Sequence, residues 1–390
     1  MRATEEDFHE QIRIMTDAVG TAAHLTAAPA RRGSAAALRL RAASEYVVIP
    51  VLAVVAASLI FALFLLALGK SPAAFLDLLW IGGFGSAFSW GNTLSRAAPL
   101  ILTALTVAIP AQLGLTIIGG EGALVLGGFA AAALAVPFVG SGAPAAAVLP
   151  LIGLAAMAAG ASWIGLAGLL RLNRGVNETI SSLLLSYVAI AVTLFFVEGP
   201  LRDPASTAKA STLPIGAAYA VGKMPFLNVH WGFAAGVVVA ALLGVLMSRT
   251  TFGFAARITG GNIRAAQAQG LPVGKLMLAC CALAGAAAGL AGFFEVAAVQ
   301  GRANASLAAG YGFTGILVSF LARHNPFAIP PVAVLFGGLA AAGGLVQRRM
   351  GLPDATVLVL QGFIFVVLLA SETLYGRFSV FRISGRQRRA

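Results

Sequence analysis

Three carboxylates stand in otherwise apolar stretches of this 390-residue chain: Glu121, Glu178 and Glu295. A charge removed from water is costly, so each needs a partner or a task. Glu121 lies in the glycine-rich break Gly119-Gly120-Glu121-Gly122. There it can anchor a helix end or touch a polar solute. Asn177-Glu178 opens an apolar run, where a carboxylate near a helix N-terminus is favoured by the macrodipole. Capping is one reading of it, a gate or coupling group the other. Glu295 falls late in a further run and is a candidate for a pathway or an interface. Gly310, Gly312 and Gly315 are set to interrupt a short apolar segment, and a broken helix offers backbone donors and acceptors to a passing polar solute. Tyr311 and Phe313 in that segment can stack on a base or a sugar face, or simply pack.

A second cluster lies in a polar loop. Gly260 and Gly261 read as a turn and Asn262 as an N-cap. The stretch from Ile263 to Gln269 then makes about two helical turns, closed by Gly270, with Pro272 blocking continuation. A short capped helix of small residues is a surface that a partner can grip. A mere connector would not need the cap.

No catalytic constellation accompanies these groups. Gly69-Lys70-Ser71 resembles the end of a phosphate-binding loop, but Phe64 stands where the pattern needs glycine, so no nucleotide site is expected on this chain. Cys280 and Cys281 are adjacent in one apolar run, and His9, His24, His230 and His324 are scattered. All six read as packing rather than metal ligands, and nothing pairs a nucleophile with a base. An enzyme is therefore not expected.

The elements that position these residues follow from composition. Of all residues 59% are hydrophobic and 10% charged, against about 25% charged in soluble domains. The runs 47–68, 100–118 and 231–248 carry no charge at all. About 20 apolar helical residues, rising about 1.5 Å each, match the hydrocarbon layer. The runs are continuous rather than alternating, which points to helices and not a barrel. The fold class expected is an all-α polytopic membrane protein with about ten transmembrane segments, eight to ten of them full crossings. Spans are placed near 46–69, 97–117, 122–139, 145–170, 176–198, 231–248, 275–299, 311–322, 327–346 and 355–376, the eighth broken. Residues 71–96, with Trp80 and Trp90, read as an interfacial segment. Gly285-x-x-x-Gly289 and Gly292 suit close helix packing.

With both termini cytoplasmic, 18 of the 26 Lys and Arg lie on the inner side, although Arg348 and Arg349 fall outside. Glu121 then lies near the inner interface, the loop 199–230 outside and the loop 249–274 inside. Three regions result: a cytoplasmic extension over 1–45, a transmembrane region over 46–376 and a basic cytoplasmic tail over 377–390. The extension reads as an amphipathic helix on Phe8, Ile12, Met15 and Val19, then a linker from Ala28 to Ala37. The net charge of +12 reflects inner loops rather than nucleic-acid binding.

The inner loop, as Arg257-x-x-Gly260-x-Asn262-x-x-Ala265-Ala266-x-x-x-Gly270, resembles the coupling loop of ABC-transporter permeases of the branched-chain amino acid, simple-sugar and nucleoside class. Ala98 to Thr103 with Gly119 to Gly122, Gly175 to Ser182, and Gly310 to Ile316 followed by Asn325-Pro326 resemble three further family blocks, in family order. The Asn-Glu segment is most like the nucleoside branch. Ile118, Ala123, Ser186 and Arg323-His324 depart from the family pattern. The resemblance implies a permease subunit of the bacterial inner membrane that binds no cofactor itself. ATP is used by separate ATPase subunits docking on Arg257, Gly260, Asn262, Ala265, Ala266 and Gly270. A second permease, identical or paralogous, and a periplasmic or lipid-anchored receptor complete the assembly. Asn177, Glu178, Glu295, Tyr311, Phe313 and Glu121 are then pathway candidates. A nucleoside is the first choice of solute, a simple sugar the second and a branched-chain amino acid the third. The alternative is a stand-alone secondary transporter or channel, with Glu295 the best candidate for its ion site.

Overall fold

The computed structural model describes residues 32–372 apart from 208, 226 and 227, with side chains from 48 onward. The readings of the amphipathic helix at Phe8 to Val19 and of the basic tail lie outside the described residues. The chain divides into two units, Met1–Val55 with Val367–Ala390, and Ala56–Val366. The described parts of the first unit are helical. All sites below belong to the second.

The described residues are helical and form no β-ladder, as the uninterrupted apolar runs require. In chain order the helices are α1 (Arg32–Ala67), α2 (Pro72–Gly83), α3 (Ala87–Ala111), α4 (Gly120–Ala135), α5 (Ala145–Arg174) and α6 (Glu178–Glu198). Then follow α7 (Gly232–Arg249), α8 (Thr251–Gly261), α9 (Ile263–Ala268), α10 (Val273–Phe294), α11 (Tyr311–Leu321), α12 (Ile329–Met350) and α13 (Ala355–Glu372). Among the described residues eight helices are long and apolar enough to cross a membrane, with three shorter apolar ones beside them. Helix α1 already runs from Arg32, inside the stretch read as linker.

One boundary is corrected. Residues 71–96, read as one interfacial segment, are α2 and the first turns of α3, so the second long helix starts at Ala87 and not near 97. Two serines divide them: Ser71 Oγ accepts from Ala74 N at 3.4 Å and Ser86 Oγ from Ser89 N at 3.1 Å, each capping a helix start. The Gly-Lys-Ser triplet is absorbed by the same geometry. Ser71 caps α2, while Lys70 Nζ donates to the Met350 carbonyl at the end of α12, 2.7 Å away. A cation there also complements the helix dipole, as do Arg348 and Arg349 in the last turn of α12.

The centre of the bundle is built on missing side chains. Gly285 packs on the Gly160 carbonyl of α5, Gly289 on the Ala156 carbonyl of α5, and Gly292 on the Leu124 carbonyl of α4. The small-residue seam expected on α10 is therefore the face on which α4 and α5 close, and any Cβ there would strike backbone. Cys280 and Cys281 are fully buried on the same helix.

At one end of the unit the long loop after α6 lies along residues 297–304. Thr212 N donates to Ala303 O, Ile215 N to Gly301 O and Val221 N to Ala297 O, at 2.7–3.0 Å. Arg302 adds a hydrogen bond to Ser211 Oγ and a 3.8 Å ion pair with Asp203. His230 closes the loop with Nδ1 accepting from Gly232 N at 3.1 Å, which leaves Nε2 to donate to Ser95 O at 3.3 Å.

Candidate functional site

Helix α11 begins inside the bundle. Thr103 Oγ1 donates to Tyr311 O at 3.0 Å. Thr103 lies eight residues before the end of α3, so the α11 N-terminus sits about 12 Å in from that end, at about 1.5 Å per residue. A helix start leaves N–H groups without intrahelical partners, and in an apolar interior these must be satisfied by the protein. Glu121 does so. Its Oε1 accepts from Gly310 N at 2.7 Å and its Oε2 from Gly312 N at 2.5 Å, with the residue only 1% exposed. Glu121 is thus a buried carboxyl at the mouth of a helix dipole, the helix-end anchor that is one of its two readings.

The glycines act differently from expectation. They do not break α11, which runs unbroken from Tyr311 to Leu321. Gly310 takes φ +83° and so turns the chain into the helix. Gly312 and Gly315 let α11 touch the backbone at Glu121 and at Thr103. The far end is set by Arg323 and His324, both at positive φ (53° and 55°) and so in a backbone region that non-glycine residues seldom occupy. His324 Nδ1 lies 2.9 Å from Ser319 Oγ, and burial lowers the imidazole pKa, with Arg323 adding to the shift.

The segment between α3 and α4 is also non-helical, and α6 supplies the groups that satisfy it. Thr179 Oγ1 donates to Thr116 O at 2.8 Å, Ser182 Oγ accepts from Ile118 N at 3.1 Å and Ser186 Oγ from Gly122 N at 3.4 Å. Ser182 escaped the sequence reading, and Ser186 entered it only as a departure. Hydroxyls spaced four apart on one face of an apolar helix are the signal that could have found them.

The remaining acidic candidates separate. Asn177 caps α6, accepting from Thr179 N and Ile180 N at 2.9 and 3.1 Å, and Glu178 pairs with Arg171 of α5 at 3.3 Å. These two tie one helix end to the next. Glu295 instead opens a π-helical stretch, Glu295–Gln300, a geometry frequent at functional sites. It is 4% exposed, hydrogen-bonded to Gln300 and in electrostatic contact with Arg96 and Glu121. Tyr311 interacts with the same three charges, and Phe313 is 37% exposed. Glu121, Glu295 and Tyr311 therefore belong together, whereas Asn177 and Glu178 form a separate joint.

The polar loop carries two helices rather than one. Gly260 and Gly261 are not a turn but the end of α8, which starts on a Thr250 cap. Asn262 then ends α8 and caps α9, accepting from Ala265 N at 3.1 Å. Gly270 at φ +77° closes α9, with Leu271 N returning to Ala266 O at 3.1 Å. Gly260 has a packing role: any side chain there would strike the Gln112 carbonyl and Leu113 at the end of α3. Arg257 donates to the Met247 carbonyl of α7. On α9 only Ala266 is buried; Ile263, Arg264, Ala265, Gln267 and Ala268 are exposed. A cavity of about 390 Å³ between the end of α3, α7, Arg257 of α8 and the turn after α11 brings together Gln112, Ser248, Arg257, Arg323 and His324.

This arrangement meets known proteins along most of its length. The family of branched-chain amino acid transport system permease components matches residues 89–369. The chain is 36% identical over 333 residues to a glucose ABC transporter permease protein of Haloferax volcanii, covering 83% of this chain and 87% of that one. It is 30% identical over 343 residues to a guanosine ABC transporter permease protein of Bacillus subtilis, covering 85% and 95%. It is 27% identical over 322 residues to a nucleoside ABC transporter permease protein of Lactococcus lactis, covering 80% and 88%. The family match and the helical bundle together identify a multi-pass inner-membrane protein, a transporter subunit rather than an enzyme, which works with ATPase and solute-binding partners. The chain belongs to the branched-chain amino acid transport system permease family and is an ABC-transporter permease.

Proposed function

We propose that this chain forms the membrane pathway of an ATP-driven importer for a nucleoside or a simple sugar, and that α9 is where the ATPase grips it. One observation carries the reading: a path through packing, one short chain segment and two hydrogen bonds joins the α8–α9 junction to the buried start of α11. Gly260, just before α9, rests on Gln112 and Leu113; the chain runs from there to Glu121, and Glu121 holds Gly310 and Gly312. A partner that moves α9 thus has a mechanical route to the buried start of α11. ATP binds the partner, not this chain. Alternating access follows if the ATPase binds the two positions of α9 with different affinity, since only differential binding shifts such an equilibrium. A second permease, identical or paralogous, completes the pathway, and a receptor delivers the solute. The names of the relatives, glucose, guanosine and nucleoside permeases, support the solute class.

Ala265 is exposed on α9 and its side chain is not needed for the cap, so Ala265→Glu tests the coupling role without disturbing the bundle. The variant is expected to purify folded, to lose ATPase recruitment and to lose ATP-dependent uptake. Normal recruitment and uptake would overturn the assignment of α9. Uptake by the chain alone, without ATP or partners, would favour the secondary-transporter reading.

A further inference from the structure

We propose that a cavity between α3, α11 and α13 is a recognition site for a hydroxylated sugar ring, free or as the sugar of a nucleoside, and that Gln361 reads it. The proposal deepens the import reading and rests on it for its biological meaning.

The cavity measures about 140 Å³ and is walled on a further side by Ala340 of α12. Gln361 lies in it and is 3% exposed, yet its Nε2 is among the buried polar atoms with no hydrogen-bond partner. A buried N–H without an acceptor is costly, so an unpaired amide in a residue that lines a cavity is matched to an acceptor that arrives from outside and draws the side chain toward it. The rim carries Arg96 and Asp354, both exposed and of opposite charge. Tyr311 and Thr314 of α11 line the wall, which places the site at the buried N-terminal turn held by Glu121.

The lining selects a chemistry. One cation and one anion at the rim leave no net charge for an anionic or cationic solute to balance. A hydroxyl both donates and accepts, so neighbouring hydroxyls on one ring serve the Gln361 N–H, the Asp354 carboxylate and the Arg96 guanidinium together. The C–H face of such a ring suits Tyr311 and the apolar Leu100. A zwitterionic aliphatic amino acid would match the rim. It would then press its apolar side chain against the unpaired amide, leaving the costly N–H unsatisfied.

Two measurements on the complete transporter in proteoliposomes test this, with radiolabelled guanosine, glucose and leucine as probes. Gln361→Leu is expected to lower uptake of guanosine or glucose by about tenfold or more, the scale of one lost hydrogen bond to a buried donor, with ATPase docking retained. The second measurement does not depend on transport. Thr314→Cys is expected to react with a small methanethiosulfonate reagent against a low background, because Cys280 and Cys281 are fully buried. Guanosine or glucose should slow that reaction, and whichever protects identifies the source of the ring. Wild-type uptake by Gln361→Leu, an unreactive Thr314→Cys, or protection by leucine alone would overturn the proposal. Protection by guanosine or glucose in a complex that imports neither would refute the import reading and leave the site standing.

Discussion

Removing the Glu121 carboxylate should be among the most damaging single changes in the second unit. Glu121→Ala strands the N–H groups of Gly310 and Gly312, which Glu121 receives at 2.7 and 2.5 Å. Each buried donor left without a partner costs about 1–3 kcal/mol, so the pair loses about 2–6 kcal/mol, with the dipole attraction of α11 lost as well. Glu121→Gln keeps one acceptor but turns an amide N–H toward the second donor, and is expected to cost about 1–3 kcal/mol. Glu178→Ala is the control. It removes a mostly buried carboxylate at a helix start, 11% exposed, whose partner Arg171 has a 38% exposed side chain, and a pair with one partner screened by solvent is worth about 1 kcal/mol. Equilibrium unfolding in mixed micelles ranks the three variants, and uptake by the assembled complex shows whether the α11 start is needed for passage. The expected order of loss is Glu121→Ala, then Glu121→Gln, then Glu178→Ala. A Glu121→Ala protein no less stable than Glu178→Ala would refute the claim that this carboxylate holds the start of α11.

Two further outcomes follow from the geometry. Asn262→Ala removes the cap of α9, which is worth about 1 kcal/mol to a helix of six residues; uptake per ATP hydrolysed should fall while unfolding of the bundle is unchanged, and equal coupling ratios would count against the cap. His230 and His324 both have pKa values lowered from 6.5, chiefly by burial. The unfolded chain then binds more protons just below that value, so stability should be flat above about pH 7 and fall as the pH drops through 6.5. A protein with both changed to Gln should lose less stability between pH 7 and 5, and an unchanged slope would refute it.

How far the sequence reaches depends on the range of the physics. Eight long apolar helices were legible because span length and hydropathy are local properties. So was the α9 cap, since Asn262, Gly270 and Pro272 act within a few residues. The small-residue seam on α10 was legible too, though not the helices it would meet. Local rules failed where the answer lay on another segment. Glycines at 260 and 261 read as a turn but end a helix, and at Gly260 the missing Cβ is needed against Gln112 and not for a bend. Glu121 is the sharpest case. Its sequence surroundings show only a carboxylate in a glycine-rich break, but its task is set by Gly310 and Gly312, about 190 residues away in the chain. The sequence alone determined that this protein crosses a bilayer and carries a small capped helix. Only the tertiary structure decided which buried charge serves which helix, because in an apolar interior an unsatisfied donor takes the nearest acceptor in space.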